Sequence, residues 1–533
     1  MKIKSNHVKI AFTIISFIFL LLSTSCGGGG GGGGGSGLAA PTGVTATPGN
    51  GQVIIAWTQV ASATSYNIYW STAPNVTLNN GTKITDVANP YTKTGLTNGT
   101  TYYYVVTAVN SNGESGASTQ VSGTPEDTSH AVVLDKTFGT DGIVETGVGI
   151  RDDRARAISL QPDGKIVMAG YTEVNGFHQV IALVRYNIDG SLDTTFNSNG
   201  IVTTPVGNID DHAYAIAIQN DGKIVVAGDT KTGGVGVYTQ FVIVRYNTDG
   251  SLDATFNSDG IVKTSIGGID DEANGIAIQE DGKIVVAGYT DNGSDKDIAL
   301  VRYNTDGSLD TTFNSTGIVP GVVTAQVGSL DDRALALALQ DDGKIVVAGD
   351  TKTGGSSGHH TELALLRFNT DGNLDTTFNS NGIVTTSLGG LIAFVSSIAI
   401  QADGKILVSG TGSNVSICLA RFNTDGAQDI TFDSDGIVTT QTGGLDGEAG
   451  GIALQEDGKI VVVGFFAISK DEGYFLFVRY NPDGTLDTTF DTDGEVVGPG
   501  HYFAKCIALQ PDGKILVAGY TTGVGSFFLM RYE

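Results

Sequence analysis

The chain has 533 residues, with 76 glycines, only 11 prolines and 16% charged residues, the composition of a β-rich protein with room for several domains. Its formal net charge of −26 repels phosphate backbones and argues against nucleic acid as a partner. Seven scattered histidines and three cysteines form no zinc-like or triad-like local pattern, which argues against a sequence-encoded metal finger or nucleophile motif.

Residues 1–26 read as a targeting segment. Lys2, Lys4 and Lys9 make a basic start, and Ile10 to Leu22 is an apolar run too short to span a bilayer comfortably. "LLSTSC" ends it at Cys26. The segment resembles a bacterial lipoprotein signal peptide, with Leu22 four residues before the cysteine and Ser23 in the usual leucine place. The resemblance implies that Cys26 is lipidated and that the membrane is a partner through this lipid. It places the chain in the bacterial cell envelope, at the outer membrane or cell surface, since no Asp follows Cys26. Residues 27–37, nearly all glycine, are expected to act as a flexible tether.

Residues 38–126 change texture, holding both tryptophans (Trp57, Trp70) and short alternating strands such as "GQVIIAWTQV" and "TSYNIYWS". With Trp57 as core tryptophan and "LTNGTTY" (96–102) at a strand corner, they resemble a fibronectin type III domain. The resemblance implies a β-sandwich in which Tyr102 is the corner tyrosine and Tyr104, Val106 and Ala108 face the core. Its implied role is that of a spacer. A linker, 127–133, follows.

From 134 to 533 the chain repeats. The line Q-x-D-G-K-I begins at Gln161, Gln219, Gln279, Gln340, Gln401, Gln455 and Gln510, at intervals of 54–61 residues. A second signature, "RYNIDGSLDTTFNSNGIV" (185–202), recurs out of phase with it. Each unit reads as four strands. "AYAIAIQ" alternates, Asp-Gly makes a tight turn, "KIVVAG" is apolar at successive positions, and "FVIVRYN" and a "GIVTT"-like segment follow. Four antiparallel strands repeated seven times predict a seven-bladed β-propeller. The last copy stops at "FLMRYE" after its third strand, and "LDKTFGTDGIVETGV" (134–148) precedes the first copy. An N-terminal strand is therefore expected to close the ring. The unit resembles the delta-60 repeat of bacterial surface and secreted proteins, whose resemblance implies no particular chemistry. The predicted fold class is all-β, a fibronectin type III sandwich followed by this propeller.

Residues recurring in every blade predict scaffold. Arg185, Arg245, Arg302, Arg367, Arg421, Arg479 and Arg531 end the third strands, and Asp135, Asp193, Asp253, Asp310, Asp375, Asp429 and Asp487 occupy the "LDxTF" loops. They are expected to form structural ion pairs, with the loop phenylalanine between blades. "NxDGSLD" invites a calcium reading, but its glycine falls at the fourth place rather than the sixth, so a polar turn explains it. Cys418 and Cys506 read as buried free thiols.

Propeller topology puts the 1–2 turns and 3–4 loops on one face and the varied 2–3 loops with the 4–1 loops on the other. Varied loops on a rigid frame are the expected binding face. There the pairs Asp152–Asp153, Asp210–Asp211, Asp270–Asp271 and Asp331–Asp332, with Asp446 in blade six, predict an acidic arc at the channel mouth. Such an arc has the donors for Ca²⁺ or a cationic or sugar ligand; solvated turn formers are the alternative. Neutralising Asp270 and Asp271 together is expected to leave folding intact. No catalytic residues stand out. The expected function is a lipid-anchored, non-catalytic platform for a polysaccharide or another surface protein. The alternatives are a polysaccharide lyase or hydrolase using channel-mouth carboxylates, and a structural envelope component.

Overall fold

The computed structural model describes residues 38–49, 51–125, 132–176, 178–233, 237–355, 358–388, 394–413, 415–468, 473–491, 493–523 and 525–533. The signal segment, Cys26, the tether and most of the linker lie outside the described residues, as do parts of the 2–3 loops of several blades and of the 4–1 loop entering blade five. Every regular element described is a strand, and the chain divides into two units, 1–126 and 127–533.

The first unit is a sandwich of two antiparallel sheets. One joins Thr42–Gly49, Gln52–Thr58 and Tyr91–Thr94; the other joins Thr82–Val87, Ser65–Ser71, Tyr102–Asn110, Gly113–Glu114 and Val121–Gly123. Trp57, Tyr102, Tyr104, Val106 and Ala108 are all buried, as the alternation predicts. The Tyr102 hydroxyl accepts the Thr97 N–H at 3.0 Å, which ties the corner. Glu114 collects four donors, from Asn67, Tyr69, Thr107 and Lys83. Burial alone would raise its carboxyl, but these donors outweigh it and hold the group at about 2.

The second unit consists of seven four-stranded antiparallel sheets. Blade one runs Arg151–Leu160, Ile166–Val174, His178–Tyr186 and Ile201–Thr204. Blades two to six repeat this order. Blade seven takes Tyr502–Leu509, Ile515–Thr521 and Phe527–Tyr532 from the C-terminus, and its outer strand is Ile143–Thr146, with Phe527 opposite Thr146 and Met530 opposite Ile143. First strands of neighbouring blades touch one another in sequence, and that of blade one touches that of blade seven. The core is a set of inter-blade layers. One layer packs Val167, Leu183 and Phe196 against Ile224, Val244 and Tyr246 of blade two, and another packs Leu516 and Leu529 of blade seven against Ile166, Val184 and Phe138. A second strand buried on both faces is continuously apolar for this reason. Cys418 and Cys506 are free and buried, and burial pushes the Cys506 thiol up to about 12.

The repeated line has a physical reading, residue by residue. Its Asp-Gly turn needs a left-handed glycine, with φ between 80° and 87° at Gly164, Gly222, Gly282, Gly343, Gly404, Gly458 and Gly513. The glycine ending "VVAG" is required by contact rather than torsion. A Cβ on Gly228 would lie 1.9 Å from the His212 carbonyl oxygen, and one on Gly288 would lie 1.8 Å from that of Glu272. Each close approach stands beside the β-bulge that every first strand carries, such as that between Ala213 and Ala215.

The recurring arginine and aspartate lie together, and the lysine of Q-x-D-G-K joins them. In blade one Asp193 Oδ2 meets Arg185 Nε at 2.7 Å and Lys165 Nζ at 2.9 Å, while the guanidinium lies 4.4 Å from the Phe196 ring. In blades two to six the Arg–Asp distance is 2.7–2.8 Å. In blade seven Arg531 and Lys514 both meet Asp135 from the N-terminal segment. The arginine also reaches the next blade: Arg245 Nη1 donates to Thr305 O at 2.6 Å, and Arg531 Nη1 to Ile188 O of blade one at 2.6 Å. One side chain thus orders a loop and fastens two blades.

Candidate functional site

The fold gives the two members of each aspartate pair different work. The second member is buried. Asp211 accepts the N–H groups of Val206 and Gly207 at 2.7 and 2.8 Å and the Thr230 hydroxyl at 2.6 Å, and Asp153, Asp271 and Asp332 repeat this with their own loops. It holds the 4–1 loop in place. Burial pushes the carboxyls of Asp271 and Asp332 up. The first members are partnered at the rim. Asp152 accepts from Arg154 Nε and Gln179 Nε2, Asp210 from the Gln179 N–H, Asp270 from Lys296 and Asp331 from Lys352. Asp446 of blade six is exposed and accepts the Gly447 N–H. Among the described residues no group of three or more His, Cys, Asp or Glu is placed to hold a metal ion.

The expectation that neutralising Asp270 and Asp271 together leaves folding intact treats alike two residues of which only Asp271 is buried. Asp271→Asn is expected to lower stability by about 1–3 kcal/mol, because one of the two buried oxygens that accept the Ile266 N–H and the Thr290 hydroxyl becomes an amide donor. Asp270→Asn removes a partly exposed ion pair and should stay within about 1 kcal/mol. Thermal melts of the two single variants separate these outcomes.

The first strands line the ring's centre in layers. Towards the Asp-Gly-Lys turns the layers are aliphatic and recur in all blades: Ile158, Ile216, Ile276, Leu337, Ile398, Ile452 and Ile507, then a second Leu/Ile layer. At the bulge and the residue two before it, recurrence stops. The residues before the bulge are Arg154, His212, Glu272, Arg333, Phe394, Glu448 and Phe503, and those in the bulge include Arg156, Tyr214, Asn274 and Lys505. Cross-strand register places a second side chain beside each of the former, giving Arg154 beside Tyr171, His212 beside Asp229, Glu272 beside Tyr289 and Phe503 beside Tyr520.

These groups form one connected cup. His212 Nδ1 lies 2.8 Å from Asp229 Oδ1 and Nε2 lies 2.6 Å from Gln179 Oε1. Asp152 only accepts, so Gln179 turns its amide nitrogen there and its oxygen to His212. The ring meets Tyr171 edge-on at 4.5 Å. Arg156 Nη2 donates to the Tyr171 hydroxyl at 3.2 Å, and Arg154 and Arg156 lie 5.2 and 5.9 Å from the Tyr520 ring. In the neighbouring blade three Glu272 accepts from Tyr289 at 3.0 Å; burial first, then the Asp229 charge, raises its carboxyl. Lys505 pairs with Glu448 at 2.6 Å beside Phe465. The histidine had no partner in sequence because Asp229 stands 17 residues away and meets it only through the hairpin register. The signal that would have found the cup is the loss of recurrence at one register position of an otherwise repeating strand.

Fold and cup together define an all-β protein, a fibronectin type III sandwich with a seven-bladed propeller whose channel mouth carries the non-repeating chemistry. The family model described as "Domain of unknown function (DUF5122) beta-propeller" matches residues 161–196, 219–256, 279–313, 340–378, 401–432, 455–490 and 510–533, and the fibronectin type III model matches 39–124. The chain belongs to that propeller family and carries a fibronectin type III domain ahead of the repeats.

Among curated proteins, an amylopullulanase of Thermoanaerobacter thermohydrosulfuricus is 43% identical over 96 residues, which is 16% of this chain and 6% of that protein. A poly(3-hydroxybutyrate) depolymerase of Ralstonia pickettii is 44% identical over 90 residues, 16% of each chain. The chain thus spans a small fraction of the curated relatives it matches. Among solved structures, a protein of unknown function from Dyadobacter fermentans is 13% identical with a TM-score of 0.40, covering 74% of this chain and 99% of that one. A polysaccharide lyase, an ulvan lyase bound to a sulfated disaccharide repeat, is 11% identical with a TM-score of 0.42, covering 73% and 94%. A Fn3-like protein from Clostridium thermocellum is 33% identical with a TM-score of 0.15, covering 17% and 97%.

Proposed function

We propose that this is a cell-envelope binding protein, anchored by a lipid on Cys26 and spaced by the tether and the fibronectin type III domain, whose propeller takes a polysaccharide or a surface protein at the channel mouth. The observation that carries this reading is the break in recurrence. Seven first strands repeat their aliphatic layers yet differ at the bulge, which holds Arg156, Tyr214, Asn274, Leu335, Ser396, Gly450–Gly451 and Lys505 in turn. A scaffold alone has no reason to vary there.

A second reading, a polysaccharide-active enzyme, is favoured by one observation. Glu272 is a half-buried mouth carboxyl with a raised pKa, the property of a general acid, on the first strand next to that of the His212–Asp229 pair.

The test uses the chain with Cys26→Ser on an array of bacterial and plant polysaccharides, with product release followed in parallel. Saturable binding without turnover, weakened roughly tenfold by Phe394→Ala at the exposed side of the mouth, supports the binding reading. Turnover lost in Glu272→Gln supports the enzyme. Binding indifferent to both variants overturns the mouth as the site.

A further inference from the structure

We propose that the mouth at blades seven and one is an oxyanion subsite centred on Arg156 that takes the carboxylate or sulfate group of an acidic polysaccharide; the proposal rests on the reading that the mouth is the binding site. Its basis is a local charge imbalance. Three cations share this corner, Arg154, Arg156 and Lys505. Arg154 Nε donates to Asp152 at 2.6 Å, and Lys505 Nζ meets Glu448 at 2.6 Å. Arg156 has no carboxylate within ion-pair distance among the described residues. Its one hydrogen bond there runs from Nη2 to the Tyr171 hydroxyl at 3.2 Å, and its Nε is buried without an acceptor. A half-buried guanidinium with one buried nitrogen unpaired and no counter-charge is costly to keep, and its planar fork fits the paired oxygens of a carboxylate or sulfate.

Three further observations converge on the same corner. Burial pushes the Lys505 ammonium down, and Arg156 and Arg154 push it the same way against Glu448, so the three cations lie close enough to act on one another. Blade one alone among the first strands described has a second register shift, between Arg151 and Arg154, where Asp152 takes a φ of 51°. This turn sets the Asp152 carboxylate on Arg154 and Gln179, leaving Arg156 as the uncompensated cation. Finally, Phe465, Phe503 and Tyr520 follow one another at ring separations of 4.7 and 5.3 Å beside the arginines, an aromatic wall suited to the C–H faces of sugar rings. The rest of the chain is strongly acidic, so this cationic corner stands out in sign from its surroundings.

The test uses the full chain with Cys26→Ser and, on that background, Arg156→Gln, Arg156→Lys and Phe394→Ala. Dextran sulfate and polygalacturonate are titrated against neutral dextran at fixed ionic strength, and thermal melts compare sodium sulfate with sodium chloride at equal ionic strength. The expected result is binding of one or both anionic polymers and not of dextran, weakened about tenfold or more by Arg156→Gln and less by Arg156→Lys, with the sulfate-specific rise in melting temperature lost in Arg156→Gln. Preference between the two polymers tells sulfate from carboxylate. Should Arg156→Gln fail to fold, Arg156→Lys and the sulfate melt of the parent carry the decision. Unchanged affinity for both anionic polymers in the Arg156 variants overturns the subsite, as does the absence of any sulfate or polymer effect on the parent. Dextran binding that falls in Phe394→Ala but not in Arg156→Gln would remove the anion subsite and leave the mouth reading standing.

Discussion

Deleting residues 130–148 should lower the melting temperature of the propeller by roughly 10 °C or more, or prevent its folding altogether. The deletion removes the outer strand Ile143–Thr146 from blade seven, and with it four paired positions of that sheet. It also removes Phe138, fully buried between blades seven and one, whose loss alone is worth about 3–5 kcal/mol. It takes away Asp135 as well, leaving Arg531 and Lys514 without their shared carboxylate, and a stranded buried charge costs about 3–5 kcal/mol more. Calorimetry on the deletion and on the parent chain decides the matter. A propeller transition at an unchanged temperature would sink the idea that this segment closes the ring. Partial recovery on adding a peptide of residues 132–148 would place the loss in the missing strand.

Asp253→Asn should cost about 3–5 kcal/mol, because Arg245 and Lys223 would remain around a neutral amide. The same substitution should flatten the acid limb of the stability curve. Burial by itself would raise the carboxyls of these loop aspartates, but the threonine hydroxyl and backbone two residues on, together with the lysine and arginine, outweigh it. Asp375 is held at about 2, and Asp253 lies well below the usual carboxylate range. A group depressed on folding contributes stability that is fully present above its unfolded pKa of about 4 and is lost as pH falls through the folded value. Stability is therefore expected to be level from neutral pH down to about pH 5 and to fall steeply below about pH 4, where the unfolded chain takes up protons that the seven folded carboxylates still refuse. Urea titrations of parent and variant across that range measure both effects. A variant with parental stability at pH 7 would show that the Arg–Asp–Lys cluster contributes little to the fold.

Much of the scaffold was legible because its determinants are local and written seven times. The Asp-Gly turn, the doubly buried second strand and the Arg and Asp of each blade are each set by neighbours close in the chain. Even so, the lysine of Q-x-D-G-K escaped notice as the second cation on Asp193, since Lys165 lies 28 residues before it and meets it only across the blade. The acidic pairs were legible as a pattern but not as two roles. Asp211 and Asp210 are chemically identical, and only the alternation of strand faces buries one and leaves the other at the rim.

Composition, period and turn chemistry by themselves determined an all-β chain, its division into a sandwich and a ring, and the number of blades. These follow from short-range rules, since hairpin turns, apolar runs and alternating faces are decided within about ten residues. The site was decided by tertiary structure alone. Arg156, Tyr171, His212, Asp229 and Tyr520 come from three blades, and each blade contributes its members once, by register and bulge rather than by motif. A cup assembled from residues up to several hundred positions apart is marked in the sequence only by the loss of recurrence at one register position, because what its members share is their depth in the channel, and depth is set only when the ring has formed.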